Sequence, residues 1–424
     1  MTMIDEKSKK RVKKALLTGV TTNVLVLGIV SLMTDMSSEM IYPILPLFLT
    51  AIGASGLVIG FIEGASETTA SIVKVFSGWY SDRFLKRKPF VTSGYSLSTV
   101  TKPLLALAAT PLQVLGIRIT ERVGKGIRSA PRDALIADST APEFRGRAFG
   151  LHKTMDSAGA VIGPTLVIPV LLIASTVTTG TYRTVFLLST LPALIAVVIA
   201  LLFVRERKGL TAEKAGSLFK DVGKLGRSFY LLMTVVLTFY IGEISYAFFI
   251  LRAFEEGLTV LDTVLLYILY NALFVIVAFP SGILSDRVGR KPIILTSFII
   301  FAGTAAVMAA ANSWWTLAIG FAMFGVYKGA SEGIFKAYVT DIAPLHLCGT
   351  ALGTFHTSVG MVMLPGGVIA GLLWDNVGHW ATFAFGLVMA VSAFVLLVAI
   401  GTLKPSAEVP KCEEKGFETE SREV

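Results

Sequence analysis

Residues 78–83, Gly-Trp-Tyr-Ser-Asp-Arg, recur 204 positions later as Gly-Ile-Leu-Ser-Asp-Arg at residues 282–287. A second match, Val-Gly-Lys-Gly at 123–126 with Val-Tyr-Lys-Gly at 326–329, has a spacing of 203 positions. The same 203 spacing aligns five further pairs: Ala134 with Ala337, Asp138 with Asp341, Gly146 with Gly349, Ala148 with Ala351 and Gly150 with Gly353. Matches that stay in register over this length indicate an internal duplication, and therefore two similar halves.

The composition is typical of a membrane protein. Hydrophobic residues make up 54% of the 424 residues and charged residues 16%, against about 25% charged residues in soluble domains. The mean hydropathy is +0.71. A membrane-spanning helix needs roughly 20 apolar residues. Twelve apolar segments are found, at residues 18–50, 55–80, 90–108, 112–138, 149–172, 183–204, 228–251, 261–284, 291–311, 314–341, 351–373 and 380–403.

Lys and Arg are concentrated on one side of these segments. If the N-terminus is cytoplasmic, the cytoplasmic tails and loops hold 26 of the 38 Lys and Arg residues, and the outer loops hold two, Arg183 and Arg252. This bias follows the positive-inside rule, and it predicts that both termini lie in the cytoplasm. It also explains the net charge of +9 without a nucleic-acid partner. Six spans separate the two copies of the duplication, so the halves are expected to be parallel repeats.

The predicted organisation has five segments. They are a cytoplasmic tail at 1–17, a six-helix bundle at 18–204, a basic cytoplasmic linker at 205–227, a second six-helix bundle at 228–403 and a charged cytoplasmic tail at 404–424, which we expect to be disordered. We see no cleavable signal peptide. The two cysteines, Cys348 and Cys412, form neither a disulfide framework nor a metal motif, so we predict no metal and no cofactor.

The duplicated loops resemble a known signature. The first reads Gly78-x-x-Ser81-Asp82-Arg83-x-x-Lys86-Arg87-Lys88, and the second Gly282-x-x-Ser285-Asp286-Arg287-x-Gly289-Arg290-Lys291. Both resemble the loop 2–3 and loop 8–9 signature of the major facilitator superfamily (MFS), and the resemblance covers nearly the whole chain. The run at residues 122–135 is similar to a prokaryotic branch of that superfamily. The resemblance implies an all-α fold of 12 transmembrane helices, in two six-helix bundles around a central cavity. We expect a monomer in the cell membrane that contacts lipid.

These loops are expected to form a conformational latch. The acid of each loop is favoured near a helix N-terminus, and the bases can pair with an acid at the end of span 4 or span 10. The latch residues implied by the resemblance are Gly78, Asp82, Arg83, Lys86 and Asp138, and in the second copy Gly282, Asp286, Arg287, Arg290 and Asp341. By resemblance, Lys86 would work with Asp138, and Arg290 with Asp341. The alternative is a tight turn with solvated charges.

Span 5 carries a second motif. Gly150, Gly159 and Gly163-Pro164 fit the antiporter motif of proton-coupled exporters, although Val167 and Ile168 replace its trailing glycine pair. Glycines at this spacing form a groove for close helix packing, and proline loosens the helix. Ordinary packing is the alternative interpretation.

Charged residues inside the predicted spans point to an aqueous cavity. Each charge at mid-bilayer costs roughly 2.5–3.5 kcal/mol, so a dozen of them must face water or one another. The expected substrate-cavity residues are Glu63, Glu67, Arg122, Lys125, Arg128, Asp156, Glu243, Lys328, Glu332 and His356. For Arg122, Lys125 and Arg128, ion pairs with Glu63, Glu67 and Asp156 are an alternative. Lys328 and Glu332 are placed to neutralise each other.

Asp35 and Glu39 are one helical turn apart on span 1. Two carboxyl groups sharing a low-dielectric surrounding favour binding of a proton, so both are proton-coupling candidates. By resemblance to drug:proton antiporters, Glu39 stands before Pro43 as their coupling acid does, and Arg118 matches a basic residue of span 4. Ion pairing of the two acids with Arg118 or Arg122, without a proton cycle, is the alternative.

The sequence therefore predicts proton-coupled export of a small molecule by alternating access. A proton-coupled symporter for a small organic anion is the second interpretation. A membrane-embedded enzyme is disfavoured, because HExxH, GxSxG and paired metal-ligand motifs are not found. A channel would differ from a carrier by lacking saturable counterflow.

Overall fold

The computed structural model describes residues 21–84, 86–141, 144–174, 176–206, 222–344 and 347–401, which are helical and contain no β-strand. The predicted tails at 1–17 and 404–424 lie outside these residues, as does most of the predicted linker. Twelve long helices are described. They are α1 (Thr22–Ala51), α2 (Gly56–Phe84), α3 (Lys88–Leu107), α4 (Pro111–Asp138), α5 (Arg145–Ile173), α6 (Thr179–Phe203), α7 (Arg227–Glu255), α8 (Val260–Val288), α9 (Arg290–Ala310), α10 (Trp314–Ile342), α11 (Cys348–Asn376) and α12 (His379–Ala399).

Each predicted span corresponds to one helix, and the structure extends several of them. Helices α2, α8 and α11 run to Phe84, Val288 and Asn376, a few residues past the apolar segments. Eight of the twelve are long and apolar enough to cross a membrane by themselves. The other four, α2, α3, α4 and α10, are more polar. Their polar faces are buried inside the bundle, where the free-energy cost of a polar group in contact with other polar groups is lower than its cost in contact with lipid.

Three helices are interrupted along their length. Helix α1 turns at residues 42–44, where Pro43 removes a backbone donor. Helix α5 has a break at Leu166, just after Pro164. Helix α7 opens at residues 242–245, beginning with Gly242. Helices α1 and α7 occupy the same place in the two halves, so the breaks in both lie at equivalent positions beside the central cavity.

The two halves have the same internal packing. In the first half α1 contacts α5 and α6, α2 contacts α4, and α3 contacts α4 and α6. In the second half α7 contacts α11 and α12, α8 contacts α10, and α9 contacts α10 and α12. Adding six to each helix number of the first set gives the second set. The predicted architecture of two six-helix repeats is confirmed.

The halves meet mainly through α2 with α11, and secondly through α5 with α8. Residues 86–87, 139–141, 144, 206 and 289 lie at one end of the bundle, which we call the linker end. The loops at 52–55, 256–259 and 377–378 lie at the other, which we call the far end. At the far end, α2 touches α11, and the second parts of α1 and α7 contact each other. The bundle is therefore closed there.

Apolar side chains cover the outer surface. On α6, for example, Leu187, Leu191, Leu194, Val198 and Leu202 are all exposed. These positions recur every three or four residues, which places them on one helical face. Such a surface is stable only against lipid tails.

Candidate functional site

A cavity of about 380 Å³ lies between the two halves. Its lining comes from α1, α2 and α4 of the first half and α7, α8, α10 and α11 of the second. The charged and titratable lining residues are Glu39, Glu63, Glu67, Arg122, Lys125, Glu243, Lys328, Glu332, Lys336 and His356. Tyrosines also line it, at positions 42, 240, 246, 267 and 270. The predicted chamber between the halves thus exists, and its lining is both charged and aromatic.

Ion pairs take up most of these charges. They are Arg122–Glu67 (2.8 Å), Lys328–Glu243 (2.6 Å), Lys336–Glu332 (3.2 Å) and, just behind the wall, Arg118–Glu63 (3.5 Å). The predicted neutralisation of Lys328 by Glu332 is wrong, since each has a different partner. Pairing is what makes these groups tolerable at this depth, because a buried charge without a partner is strongly destabilising.

Glu39 is held by the opposite half of the molecule. Its Oε2 accepts hydrogen bonds from Tyr267 Oη at 2.8 Å and from Asn271 Nδ2 at 3.3 Å, both on α8. Among the described residues, no basic group lies within ion-pair distance of Glu39. The residue also stands one turn before the break in α1. Glu39 therefore connects a cavity wall of the first half to the second half through neutral donors.

Asp35 and Asp156 lie beside the cavity and do not line it. Their carboxyl groups are within hydrogen-bonding reach of each other. Asp156 also accepts bonds from Ser31 Oγ at 2.8 Å and Lys153 Nζ at 3.1 Å. The predicted cavity position of Asp156 is wrong: its side chain is turned toward α1. Two carboxyl groups in contact favour sharing one proton.

Arg118 and Arg128 are packed behind the cavity wall. The Arg118 guanidinium contacts Glu121 and lies 5.3 Å from the centre of the Tyr42 ring. Arg128 donates to Ser98 Oγ at 2.6 Å and stacks 4.7 Å from the centre of the Tyr95 ring. Neither lines the cavity. The expectation that Arg128 faces substrate or pairs with Asp156 is wrong, because it joins α4 to α3.

The two signature loops form matching networks at the linker end. Arg290 bonds Ser285 Oγ at 2.6 Å and Asp341 Oδ2 at 3.1 Å, and it pairs with Asp286. In the first copy, the same three contacts come from Arg87. It bonds Ser81 Oγ at 2.9 Å and Asp138 Oδ2 at 3.3 Å, and it pairs with Asp82.

The expected contact of Lys86 with Asp138 is therefore wrong, because Arg87 makes that contact. The spacing between the two copies drops from 204 at Arg83/Arg287 to 203 at Arg87/Arg290, so the first loop contains one extra residue before its arginine. That change of spacing is visible in the sequence and identifies Arg87. Of the other loop residues, Arg83 stacks 5.3 Å from the centre of the Trp79 ring. Gly78 packs near Ala130, whereas Gly282 faces open space.

The span 5 glycines pack on α1 beside the two acids. A methyl group on Gly159 would lie 2.7 Å from Leu32 O and 2.9 Å from Asp35 Cβ. One on Gly163 would collide with Met36 O and lie 2.8 Å from Glu39 Cβ. Gly150 has no neighbour within 4 Å of such a methyl group. Two of the three glycines thus set the contact between α5 and the acid-bearing face of α1.

The Major Facilitator Superfamily family model matches residues 27–278 and 233–421, which together span almost the whole chain. The chain belongs to the major facilitator superfamily. It is 36% identical over 384 residues to an uncharacterised MFS-type transporter of Methanocaldococcus jannaschii, covering 89% of this chain and 94% of the relative. A multidrug resistance protein, MdtH, of Photorhabdus laumondii is 34% identical over 124 residues, 29% of this chain and 31% of that protein.

Solved structures of MFS transporters share this fold. The nucleoside transporter NupG has a TM-score of 0.68 at 14% identity, with 89% of this chain and 98% of that chain covered. A human organic anion transporter has a TM-score of 0.63 at 16% identity, with 88% and 98% covered. The protein is accordingly a multi-pass membrane protein that transports a small molecule.

Several contacts of this MFS transporter were not predicted. Tyr267 was not singled out as the partner of Glu39, and Lys102, buried on α3, donates to Ser38 Oγ at 3.2 Å. Asp375 contacts the start of α2. These contacts join helices that are distant in sequence. No periodicity within one helix indicates them.

Proposed function

We propose that this MFS transporter exports a small molecule in exchange for protons, with Glu39 as the carboxyl group that carries the coupling proton. The observation that supports this most directly is the environment of Glu39. It lines the cavity, it has no basic partner among the described residues, and its hydrogen bonds come from the opposite half. A change in its protonation would alter the connection between the halves.

The chemistry of that connection favours coupling. An ionised carboxylate accepts bonds from both Tyr267 and Asn271, whereas a protonated one becomes a donor at one oxygen. Both bonds end at Oε2, so proton binding turns two charge-assisted bonds between α1 and α8 into weaker neutral ones and removes a charge that is costly at this depth. The groups facing Glu39 are Lys125 on α4, Asp35 on α1 and Asp156 on α5, in addition to the two α8 residues.

Export is supported by α5. Gly159 and Gly163 place α5 against α1 beside Asp35 and Glu39. A movement of α5 would therefore change the surroundings of both carboxyl groups. The partial relative MdtH is named a multidrug resistance protein, which agrees with export. The Lys and Arg bias supports a cytoplasmic linker end, and the closed far end then faces the outside of the cell.

The test is transport by purified protein in proteoliposomes with an imposed pH gradient and a panel of drugs and metabolites. We expect gradient-driven flux that a protonophore abolishes. Glu39→Gln should lose gradient-driven flux and keep substrate exchange. Glu255→Gln, at an exposed far-end acid, is the matched control and should behave as wild type. Gradient-driven flux that survives in Glu39→Gln would exclude Glu39 as the coupling group.

Lys125 favours a second candidate, uptake of a small organic anion together with a proton. Its ammonium lines the cavity, and among the described residues no carboxylate lies within ion-pair distance of it. The two candidates differ in the direction of flux. Under an inward proton gradient, an antiporter expels its substrate and a symporter accumulates it.

A further inference from the structure

We propose that the transported molecule carries an anionic group, a carboxylate, and that the ammonium of Lys125 binds it. This inference rests on the proposed transport function, because it concerns the same cavity, and it holds for either direction of transport. It comes from a difference between two positions that the internal duplication makes equivalent.

The duplication relates Glu39 to Glu243 and Lys125 to Lys328, at spacings of 204 and 203 residues. In the second half this pair is closed: Lys328 Nζ lies 2.6 Å from Glu243 Oε1, and Tyr327 also donates to that carboxylate. In the first half the pair is open. Glu39 accepts its bonds from Tyr267 and Asn271 instead. The same two residue types are thus paired in one half and separated in the other.

Separation leaves Lys125 without a counter-ion in contact. The carboxylates within electrostatic range of it are Asp35, Glu39, Glu67 and Glu121. Each has its own partner: Asp35 meets Asp156, Glu39 is held by α8, Glu67 pairs with Arg122 at 2.8 Å, and Glu121 pairs with Arg118. Every other cation lining the cavity among the described residues forms an ion pair. An ammonium left alone at this depth favours an incoming anion.

The rest of the wall suits an organic body. Tyrosines 42, 246, 267 and 270 line the same cavity as Lys125. A cavity of about 380 Å³ is at the small end of the range for metabolite sites. The geometry fits a small organic acid with an apolar or aromatic portion.

The repeat also indicates how the anion is released. If the hydrogen bonds of Glu39 to Tyr267 and Asn271 break as the halves move, Glu39 can form an ion pair with Lys125, as Glu243 does with Lys328. Glu39 and the substrate carboxylate would then compete for one ammonium. Protonated Glu39 competes poorly, because it carries no charge, so this competition favours the second candidate, uptake of the anion together with a proton.

A first experiment needs no substrate. Thermal unfolding of the purified full-length protein is compared for Lys125→Met and Lys328→Met, which are equivalent by the duplication. We expect Lys328→Met to lower the unfolding midpoint by several degrees, since it leaves Glu243 buried and uncompensated. Lys125→Met should leave the midpoint unchanged or raise it. An equal loss in both variants would show that Lys125 is already neutralised and would overturn the proposal.

A second experiment measures binding with matched probes: benzoate with benzylamine, and indole acetate with tryptamine. We expect a carboxylate to stabilise the wild-type protein and its amine counterpart to do so far less. Lys125→Gln should weaken carboxylate binding about tenfold or more, as expected for loss of a desolvated charge pair. Lys125→Arg should stay within a few-fold of wild type. Preference for the amines, an unaffected Lys125→Gln variant, or no stabilisation by either carboxylate overturns the proposal.

Transport assays separate this inference from the proposed function. Lys125-dependent transport of a carboxylate that ignores the pH gradient would refute proton coupling and keep the anion site. Gradient-driven transport of an amine, independent of Lys125, would support proton coupling and refute the anion site.

Discussion

Asp375, near the end of α11, accepts a hydrogen bond at 2.8 Å from the backbone N–H of Gly56, the first residue of α2. Its other carboxylate oxygen accepts the N–H of Leu57, also at 2.8 Å. A carboxylate at a helix N-terminus satisfies unpaired donors and is favoured by the helix dipole. Here the carboxylate belongs to one half and the helix to the other, so this cap fastens the far end of the bundle shut.

The helices below the cap are in backbone contact. A methyl group on Gly60 would collide with the carbonyl oxygen of Gly367, and one on Gly64 would lie 2.7 Å from Leu364 Cα. Small residues allow such close approach. The far end is therefore closed by a glycine-lined helix pair that is capped by one acid.

Asp375→Ala should weaken this closure. We expect a cysteine at the cavity position Ser245, in a background with Cys348 and Cys412 replaced by serine, to react several-fold faster with a membrane-impermeant maleimide added at the far end. The reason is the loss of two charge-assisted hydrogen bonds, each worth ~1.5–3 kcal/mol. Asn376→Ala is the control, because the Asn376 side chain bonds only within its own helix, to Leu372 O. Equal labelling of both variants would show that the cap does not hold the closed state.

Arg87→Gln should impair transport strongly, whereas Lys86→Gln should have little effect. Arg87 bonds Ser81 and Asp138 and pairs with Asp82, so its removal opens the first latch. We expect a several-fold reduction in rate, since partly exposed ion pairs of this kind are each worth ~0.2–1 kcal/mol. Initial rates in proteoliposomes measure this. A larger effect of Lys86→Gln would restore the original assignment from the signature.

Gly163→Ala should destabilise the protein, and Gly150→Ala should not. The added methyl group at Gly163 meets the backbone of α1 at Met36 O, and overpacking of this kind costs ~1–3 kcal/mol. At Gly150 there is open space, and alanine is the better helix former by ~1 kcal/mol. Thermal unfolding in detergent compares the two. Similar midpoints would mean that α5 and α1 are not in contact in solution.

Arg118→Gln should lower stability, and adding Glu121→Gln should recover much of the loss. Arg118 is buried against Glu121 and within 3.5 Å of Glu63, so its removal leaves buried acids without a counter-charge, at a cost of ~3–5 kcal/mol. The double variant removes one of those acids. Unfolding midpoints of the single and double variants test this. Full stability of Arg118→Gln would indicate that the residue is solvated and available to substrate.

The glycines of span 5 show how far sequence patterns reach. Gly150, Gly159 and Gly163 were assigned to one motif by spacing, yet only Gly159 and Gly163 touch α1. Spacing defines a helical face, while contact depends on where the neighbouring helix crosses that face. The same limit applies to span 4, where Arg122 and Lys125 line the cavity and Arg118 and Arg128 point behind it.

The amino-acid sequence alone determined the class of the protein, its twelve helices, the two related halves and the presence of ionisable groups that needed an aqueous chamber. The helices follow from the long apolar segments, the two halves from the internal duplication, the class from the resemblance of the duplicated loops, and the chamber from the energetic cost of charge in lipid. Only the tertiary structure decided which charges are neutralised. Glu39 is hydrogen-bonded to α8, Lys125 has no ion-pair partner among the described residues, and Lys328 is paired with Glu243. An ion pair depends on distances of a few ångströms between helices that the sequence separates by tens to hundreds of residues.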